Sequence, residues 1–172
     1  MNYMTQFPSP LGTITIASDG TALTGLWLQG QKYGYAGMPV QCPWEELPVF
    51  AETKRWLEMY FQGEEPDFTP KLALSGTPFR MAVWEILLTI PYGKTMTYWQ
   101  IAARIAEQKG MSRMSAQAVG GAVGHNPISI IVPCHRVVGT SGSLTGYAGG
   151  IDKKIALLTL EKVDMDSFFA PR

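Results

Sequence analysis

A cysteine followed directly by a histidine, Cys134-His135, is the place in this 172-residue sequence where covalent chemistry could begin. A thiol is a strong nucleophile only as the thiolate, and a neighbouring imidazole can take its proton. Free cysteine is otherwise among the most buried residue types and behaves as a small hydrophobe. The pair alone therefore does not separate a nucleophile from a core residue. The other cysteine is Cys42, and the histidines are His125 and His135. Two cysteines are too few for a disulfide framework, and neither is grouped with histidines at the short spacings of a structural zinc site. No metal and no cofactor are expected.

The residues before the pair suggest how it is held. Ile128-Ser129-Ile130-Ile131-Val132 is apolar and β-branched and predicts a buried strand, which Pro133 ends just before Cys134. His125-Asn126-Pro127 predicts a turn before it. Upstream, Thr77-Pro78 predicts a helix with proline in its favoured first position, ending at Pro91-Tyr92-Gly93. Thr97 and Gln100 form a capping-box pattern for a helix over 97–107, and Ser115 can cap a third over 116–123. The result is a helix-turn-helix. That third helix is built from Ala, Gly and Val. Gly120 and Gly121 each lower its intrinsic stability by about 1 kcal/mol relative to Ala, so their smallness points to something approaching closely. Five glycines lie in a loop over 139–150, Asp152 can cap a last helix running to Glu161, and a loosely held tail is expected from Asp164.

The first part of the chain is chemically quiet. Residues 11–18 and 22–28 predict a hairpin about Asp19-Gly20-Thr21, 30–43 a loop, 47–61 a helix, and 64–76 a linker. Two domains are expected, 1–76 and 77–172. Charge divides along the same line: four basic against eight acidic residues in 1–76, net −4, and ten against six in the remainder, net +4. A basic second half suits a DNA-facing surface, although such asymmetry is common in two-domain proteins. An apolar fraction of 46% provides for a core, and no apolar run approaches the roughly 20 residues of a membrane helix. Residues 1–20 lack a basic stretch followed by a long apolar one, so a cytoplasmic, membrane-free protein is expected.

Four motifs taken together, Ala118-Val119-Gly120-Gly121-Ala122, Asn126-Pro127, Pro133-Cys134-His135-Arg136-Val137-Val138 and Gly146-Tyr147-Ala148-Gly149-Gly150, resemble the O6-alkylguanine-DNA alkyltransferase family over about 77–161. The resemblance implies an α+β protein. A small N-terminal ribonuclease-H-like α/β domain without catalytic carboxylates is followed by a helical, winged helix-turn-helix-like domain that binds DNA and carries the active site. It implies direct repair of double-stranded DNA containing O6-alkylguanine, with O4-alkylthymine an open substrate, by a monomer that transfers one alkyl group to Cys134 and is consumed. His135 resembles the base, acting through a water, and Glu161 the carboxylate that orients it. Asn126 resembles the hinge residue, and Tyr98 the tyrosine that helps rotate the base out and hydrogen-bonds the departing guanine. Gln117, Ala118, Gly120, Gly121, Tyr147, Ala148, Arg113 and Arg136 would face DNA or the flipped base, with the small-residue helix in the minor groove.

The sequence departs from that pattern twice. Gln117 stands where many members have an arginine that fills the gap left by the flipped base; it can fill space and donate hydrogen bonds but has no charge. The stretch 107–115 is longer than the family's usual turn and brings Lys109 and Arg113, which could contact phosphate. Two other readings stay open: a protein that binds alkylated bases without repairing them, against which the intact Cys134 argues, and a cysteine hydrolase. Triad logic opposes the latter, since it draws its members from separate segments and adds an oxyanion hole.

Overall fold

The computed structural model describes residues 3–31, 46–144 and 147–169. Most of the expected loop over 30–43, Cys42 with it, lies outside these residues, as do Thr145 and Gly146. The chain forms two compact units. One comprises Met1–Ser75 with Pro127–Ile131, the other Gly76–Asn126 with Val132–Arg172. The short return of 127–131 to the first unit is a feature that a single cut near residue 76 does not contain.

In the first unit, strands β1 (Tyr3–Ser9), β2 (Gly12–Ser18) and β3 (Leu23–Trp27) form an antiparallel sheet in that order. The expected hairpin is β2–β3. Its turn is closed by Asp19, whose Oδ1 accepts from the Thr21 and Ala22 amides at 3.0 and 2.9 Å, with Gly20 at φ +111°. Sequence reading missed β1, whose period-2 pattern is broken by Pro8, a residue tolerated because the strand lies at the sheet edge. Helix α1 (Pro48–Phe61) buries Val49, Phe50, Trp56, Leu57 and Tyr60 on one face. The linker adds a parallel bridge, Leu72 to Leu23.

The expected strand over 128–132 does not form. Ile128 makes one bridge to Leu26, after which the backbone turns, with Ile130 at φ +69°. The apolar run reflects burial rather than pairing: Ile128, Ile130 and Val132 are all buried. A β-branched residue at positive φ is a genuine conformational outlier, which no pattern of residue types announces.

The second unit is helical. Helix α2 (Pro78–Leu87) is capped by Thr77, whose Oγ1 accepts from the Arg80 amide at 3.2 Å. Strand β4 (Met96–Thr97) leads into α3 (Tyr98–Gln108), whose capping box is complete: Gln100 N donates to Thr97 Oγ1 at 3.0 Å and Thr97 N to Gln100 Oε1 at 2.8 Å. Helix α4 (Ala116–Gly124) is capped by Ser115. Trp84 of α2 donates its indole N–H to Ala122 O at 2.9 Å and so ties α2 to α4, around a core of Val83, Leu87, Ile101, Ile105, Val119 and Val123.

Cys134–Arg136 make a single 3-10 turn that runs into β5 (Val137–Val138). β5 pairs parallel with β4, Met96 to Val137 and Thr97 to Val138. That ladder of two residues brings the cysteine's segment alongside the start of α3. The last helix, α5 (Ile151–Leu160), starts from Gly150 at φ +100° and not from an Asp152 cap; Asp152 sits in the first turn, where its charge suits the helix dipole. The described part of the tail, 164–169, is held by packing and backbone hydrogen bonds where a loose segment was expected. Met165 and Phe168 pack against Val138, Leu144 and Leu158, and Phe169 exchanges backbone hydrogen bonds with Gly142 and Leu144. Gly142 permits this closeness: it lies at φ +94°, and a β-carbon there would collide with the Ser167 carbonyl.

Candidate active site

Cys134 sits at the first position of its 3-10 turn and is 5% exposed. The turn is pinned from behind. The Val132 carbonyl accepts from the Cys134 amide at 2.8 Å and from Asn126 Nδ2 at 2.8 Å, so Asn126 at the end of α4 fixes the backbone that presents the thiol. Burial pushes the Cys134 thiol above its ordinary value. The Asn126 side chain, the Lys154 charge and nearby backbone N–H groups pull the other way without prevailing. At rest the sulfur is therefore a thiol, and a base is required to make it a nucleophile.

His135, next to it in sequence, is fully buried. His135 Nε2 and Glu161 Oε2 lie 2.6 Å apart. Burial alone would raise the Glu161 carboxyl, but the hydrogen bonds and charges of His135 and Arg136 outweigh it and hold it at about 2. A carboxylate can only accept, so Nε2 carries the proton. Burial in turn lowers the imidazole, against the pull of Glu161, and keeps it neutral. Nδ1 then carries the lone pair, and no group among the described residues hydrogen-bonds to it. A neutral, oriented imidazole with one open acceptor is the arrangement of a general base.

Glu161 is itself fixed. Arg136 Nε donates to its Oε1 at 2.8 Å, the Gly93 amide donates to the same oxygen at 3.1 Å, and Arg136 Nη1 donates to Ile90 O at 2.7 Å. The expectation that Arg136 faces DNA is thereby corrected. It is buried, and its guanidinium is spent on Glu161 and Ile90, with the Tyr92 ring 5.8 Å from its centre. A buried carboxylate needs such a partner, and the family pattern Pro-Cys-His-Arg-Val places it two residues from the thiol.

Sequence reading also missed Lys154. It is fully buried on α5, donates to the Val137 carbonyl, and is lowered by burial to about 8, a Cys134 thiolate opposing that fall. The signal for it was helical spacing: Ile151, Lys154, Ile155 and Leu158 share one otherwise apolar face. Tyr98 opens α3, half-buried, and burial, followed by repulsion from a Cys134 thiolate, raises its phenol to about 12, so it stays a proton donor.

The outer face of the unit differs in character. Gln117, Ala118 and Gly121 are exposed on α4. A β-carbon built on Gly120 would lie 3.9 Å from the Tyr98 ring, while one on Gly121 would meet open space. Tyr98, Trp99, Ala116, Gln117, Gly120, Gly139 and Thr140 line a cavity of about 440 Å³. Arg113 is exposed and lines a second one, with Trp99 and Met111. Tyr147 and Ala148 are half-buried in the glycine-rich loop. The described residues thus bring Cys134, His135, Glu161, Asn126 and Tyr98 together and leave Gln117, Ala118, Gly121 and Arg113 on the surface. No group of metal-ligating side chains is found among them, and no described helix is long and apolar enough to cross a membrane.

Fold and site together define the class: a helix-turn-helix unit built around a buried thiol beside a buried histidine–glutamate pair, in a chain that also carries a small α/β unit. Comparison with known proteins makes this specific. Residues 78–163 match the family described as 6-O-methylguanine DNA methyltransferase, DNA binding domain, and residues 2–74 the 6-O-methylguanine DNA methyltransferase, ribonuclease-like domain. A methylated-DNA–protein-cysteine methyltransferase of Mycobacterium bovis is 48% identical over 155 residues, 90% of this chain and 88% of that protein. One from Haemophilus influenzae is 44% identical over 162 residues, 94% and 87% of the two chains. The crystal structure of the Mycobacterium tuberculosis O6-methylguanine methyltransferase superposes with a TM-score of 0.79 at 46% identity, covering 94% of this chain and 93% of that one. That of Mycobacterium tuberculosis OGT in complex with DNA gives 0.78 at 46% identity, covering 93% and 92%. The chain belongs to the 6-O-methylguanine-DNA methyltransferase family, and it is a DNA-repair protein that transfers alkyl groups from DNA to cysteine.

Proposed function

We propose that the acceptor is Cys134 and that the group is taken from O6-alkylguanine in duplex DNA, once per molecule. The observation that carries this reading is the buried thiol beside a neutral His135 whose Nε2 is committed to Glu161 and whose Nδ1 is open. The thiol proton passes to Nδ1 through a water. The sulfur attacks the alkyl carbon in line with O6, the carbon–oxygen bond breaks, and its electron pair leaves on the guanine. Tyr98, held protonated, donates a hydrogen bond to the departing base, and the proton held at Nδ1 returns through water to that base, leaving His135 neutral. The thioether has no leaving group that water could displace at an ordinary rate, so the site is not regenerated. A base inside a stacked duplex is out of reach, so the nucleotide rotates out at a cost of a few kcal/mol, with Gln117 filling the gap and the small residues of α4 admitting the helix to the minor groove. Tyr147 and Ala148 wall the flipped base. Every group in this scheme belongs to one chain, which fits a monomer.

The test is intact-protein mass after mixing with a duplex carrying one O6-methylguanine. The wild type is expected to gain one methyl group and stop, and Cys134→Ser to gain none. Continued turnover would support a hydrolase instead, and lesion-selective binding without a mass gain would support recognition without repair. A duplex carrying O4-methylthymine, run in parallel, reads the breadth of substrate.

A further inference from the structure

We propose that Trp99 is a DNA-contacting residue whose indole stacks against a nucleotide of the bound duplex, beside the point where Gln117 enters; this rests on the DNA-repair reading of the same unit. Among the described residues four large apolar side chains are exposed, Leu88, Trp99, Met111 and Phe169, and Trp99 is the most exposed at 55%. Leaving an indole in water forfeits the burial energy of a large apolar surface, and Trp is the side chain most concentrated in the energetic centres of interfaces.

Its position says what covers it. Trp99 is the second residue of α3 and belongs to the lining of two cavities: one of about 440 Å³, with Tyr98, Gln117 and Gly120, and one of about 270 Å³ with Met111, Arg113 and Met114. The indole is thus continuous with the face of α4 that the repair reading sets against DNA, within the span that matches a DNA-binding domain. Among the described residues, the lining of the larger cavity holds no charged side chain. What enters it is held by contact and stacking, not by ion pairs. A nucleotide offers a π-face and an apolar sugar edge suited to that, and base–aromatic stacking tolerates any sequence. The complete capping box around the start of α3 fixes the backbone beneath Trp99, so little conformational freedom is lost on contact.

The test measures equilibrium affinity for an unmodified duplex across a salt series, with wild type, Trp99→Ala, Trp99→Phe and the likewise exposed control Leu88→Ala, alongside thermal melting, free-protein mass in solution and methyl uptake from an O6-methylguanine duplex. Trp99→Ala is expected to weaken binding about tenfold, within the 1–3 kcal/mol span of a base stack. The loss should be the same at every salt concentration, because no counterion is released by an indole. Trp99→Phe should stay within about threefold of wild type, and Leu88→Ala should match it. Undiminished binding by Trp99→Ala overturns the assignment. So does a loss accompanied by a fall in melting temperature, which marks a structural role, or a change in oligomeric state of the free protein, which marks a self-association surface. A wild type that takes up no methyl group sinks the repair reading itself, whatever Trp99 does. A wild type that takes it up while Trp99→Ala binds normally sinks only the stacking role.

Discussion

The two units of the molecule bury polar groups of different kinds. In the first, the buried polar side chains among the described residues are hydroxyls: Thr5, Thr15, Ser18, Thr53 and Ser129. A hydroxyl needs only one or two partners: Ser18 donates to Ala22 O at 2.6 Å, Thr53 to Val49 O at 2.7 Å and Ser129 to Gln31 Oε1 at 2.9 Å. In the second they are Asn126, His135, Arg136, Lys154 and Glu161, all of them around Cys134. Burying ionisable groups opposes folding unless each is paired, and a paired set is often no better than an apolar core of the same volume. The first unit has the polar interior that folding alone requires. The second carries a network whose cost is explained by what it does to one thiol and one imidazole.

Substitutions can break that contrast. The largest effect is expected at His135. His135→Asn keeps a polar side chain but removes the base, and methyl transfer measured in single-turnover mixing should slow by about 10²-fold or more. Next comes Glu161→Gln, which leaves Arg136 buried without an anion and a single amide oxygen where His135 on one side and Arg136 and Gly93 on the other each had an acceptor. A loss of about 3 kcal/mol in denaturant unfolding is expected, together with slower transfer. The matching change in the first unit, Thr53→Val, should cost about 1 kcal/mol or less and leave the transfer rate as it was; equal costs at the two sites would erase the distinction.

The same contrast has a pH signature. Glu161 lies at about 2 in the folded chain against an ordinary 4.5, so between those values the unfolded chain binds more protons. Its contribution to stability is complete above about 4.5 and is lost as pH falls toward 2. Acid unfolding should show this loss in the wild type and a shallower one in Glu161→Gln. The smallest effect lies outside the core: changing Lys109 and Arg113 together to Ala should lower the slope of log affinity against log salt by up to about 2, one for each phosphate that a basic side chain no longer neutralises. An unchanged slope removes both from the DNA face. Lys109 has a competing partner in the Phe79 ring, 5.7 Å away, which makes Arg113 the stronger contributor of the two.

How much of this could be read in advance follows from what each feature depends on. Helices α2, α3 and α4 were legible because caps are local chemistry: Thr77-Pro78, the Thr97/Gln100 box and Ser115 each act within a single turn. That Cys134, His135, Asn126, Tyr98 and Glu161 come together was foreshadowed by the Pro-Cys-His-Arg-Val motif and its companions. The turn at 128–132 was not, because β-branched apolar residues signal burial and extension alike, and Ile130 adopts a backbone no residue type foretells. Arg136 and Lys154 were misjudged or missed for a related reason. A long charged side chain is ordinarily solvated, and only the three-dimensional placement of Glu161 and Val137 supplies the buried partners that reverse this. Trp99 escaped notice because exposure, unlike periodicity, leaves no trace in sequence.

The most direct test of the account is to locate the transferred group. After reaction with a duplex containing one O6-methylguanine, the protein is digested and its cysteine peptides are sequenced by mass. The account predicts the methyl group on the peptide holding Cys134, with the Cys42 peptide unmodified and no second equivalent taken up. A methyl group on Cys42, or on any residue other than Cys134, would contradict it.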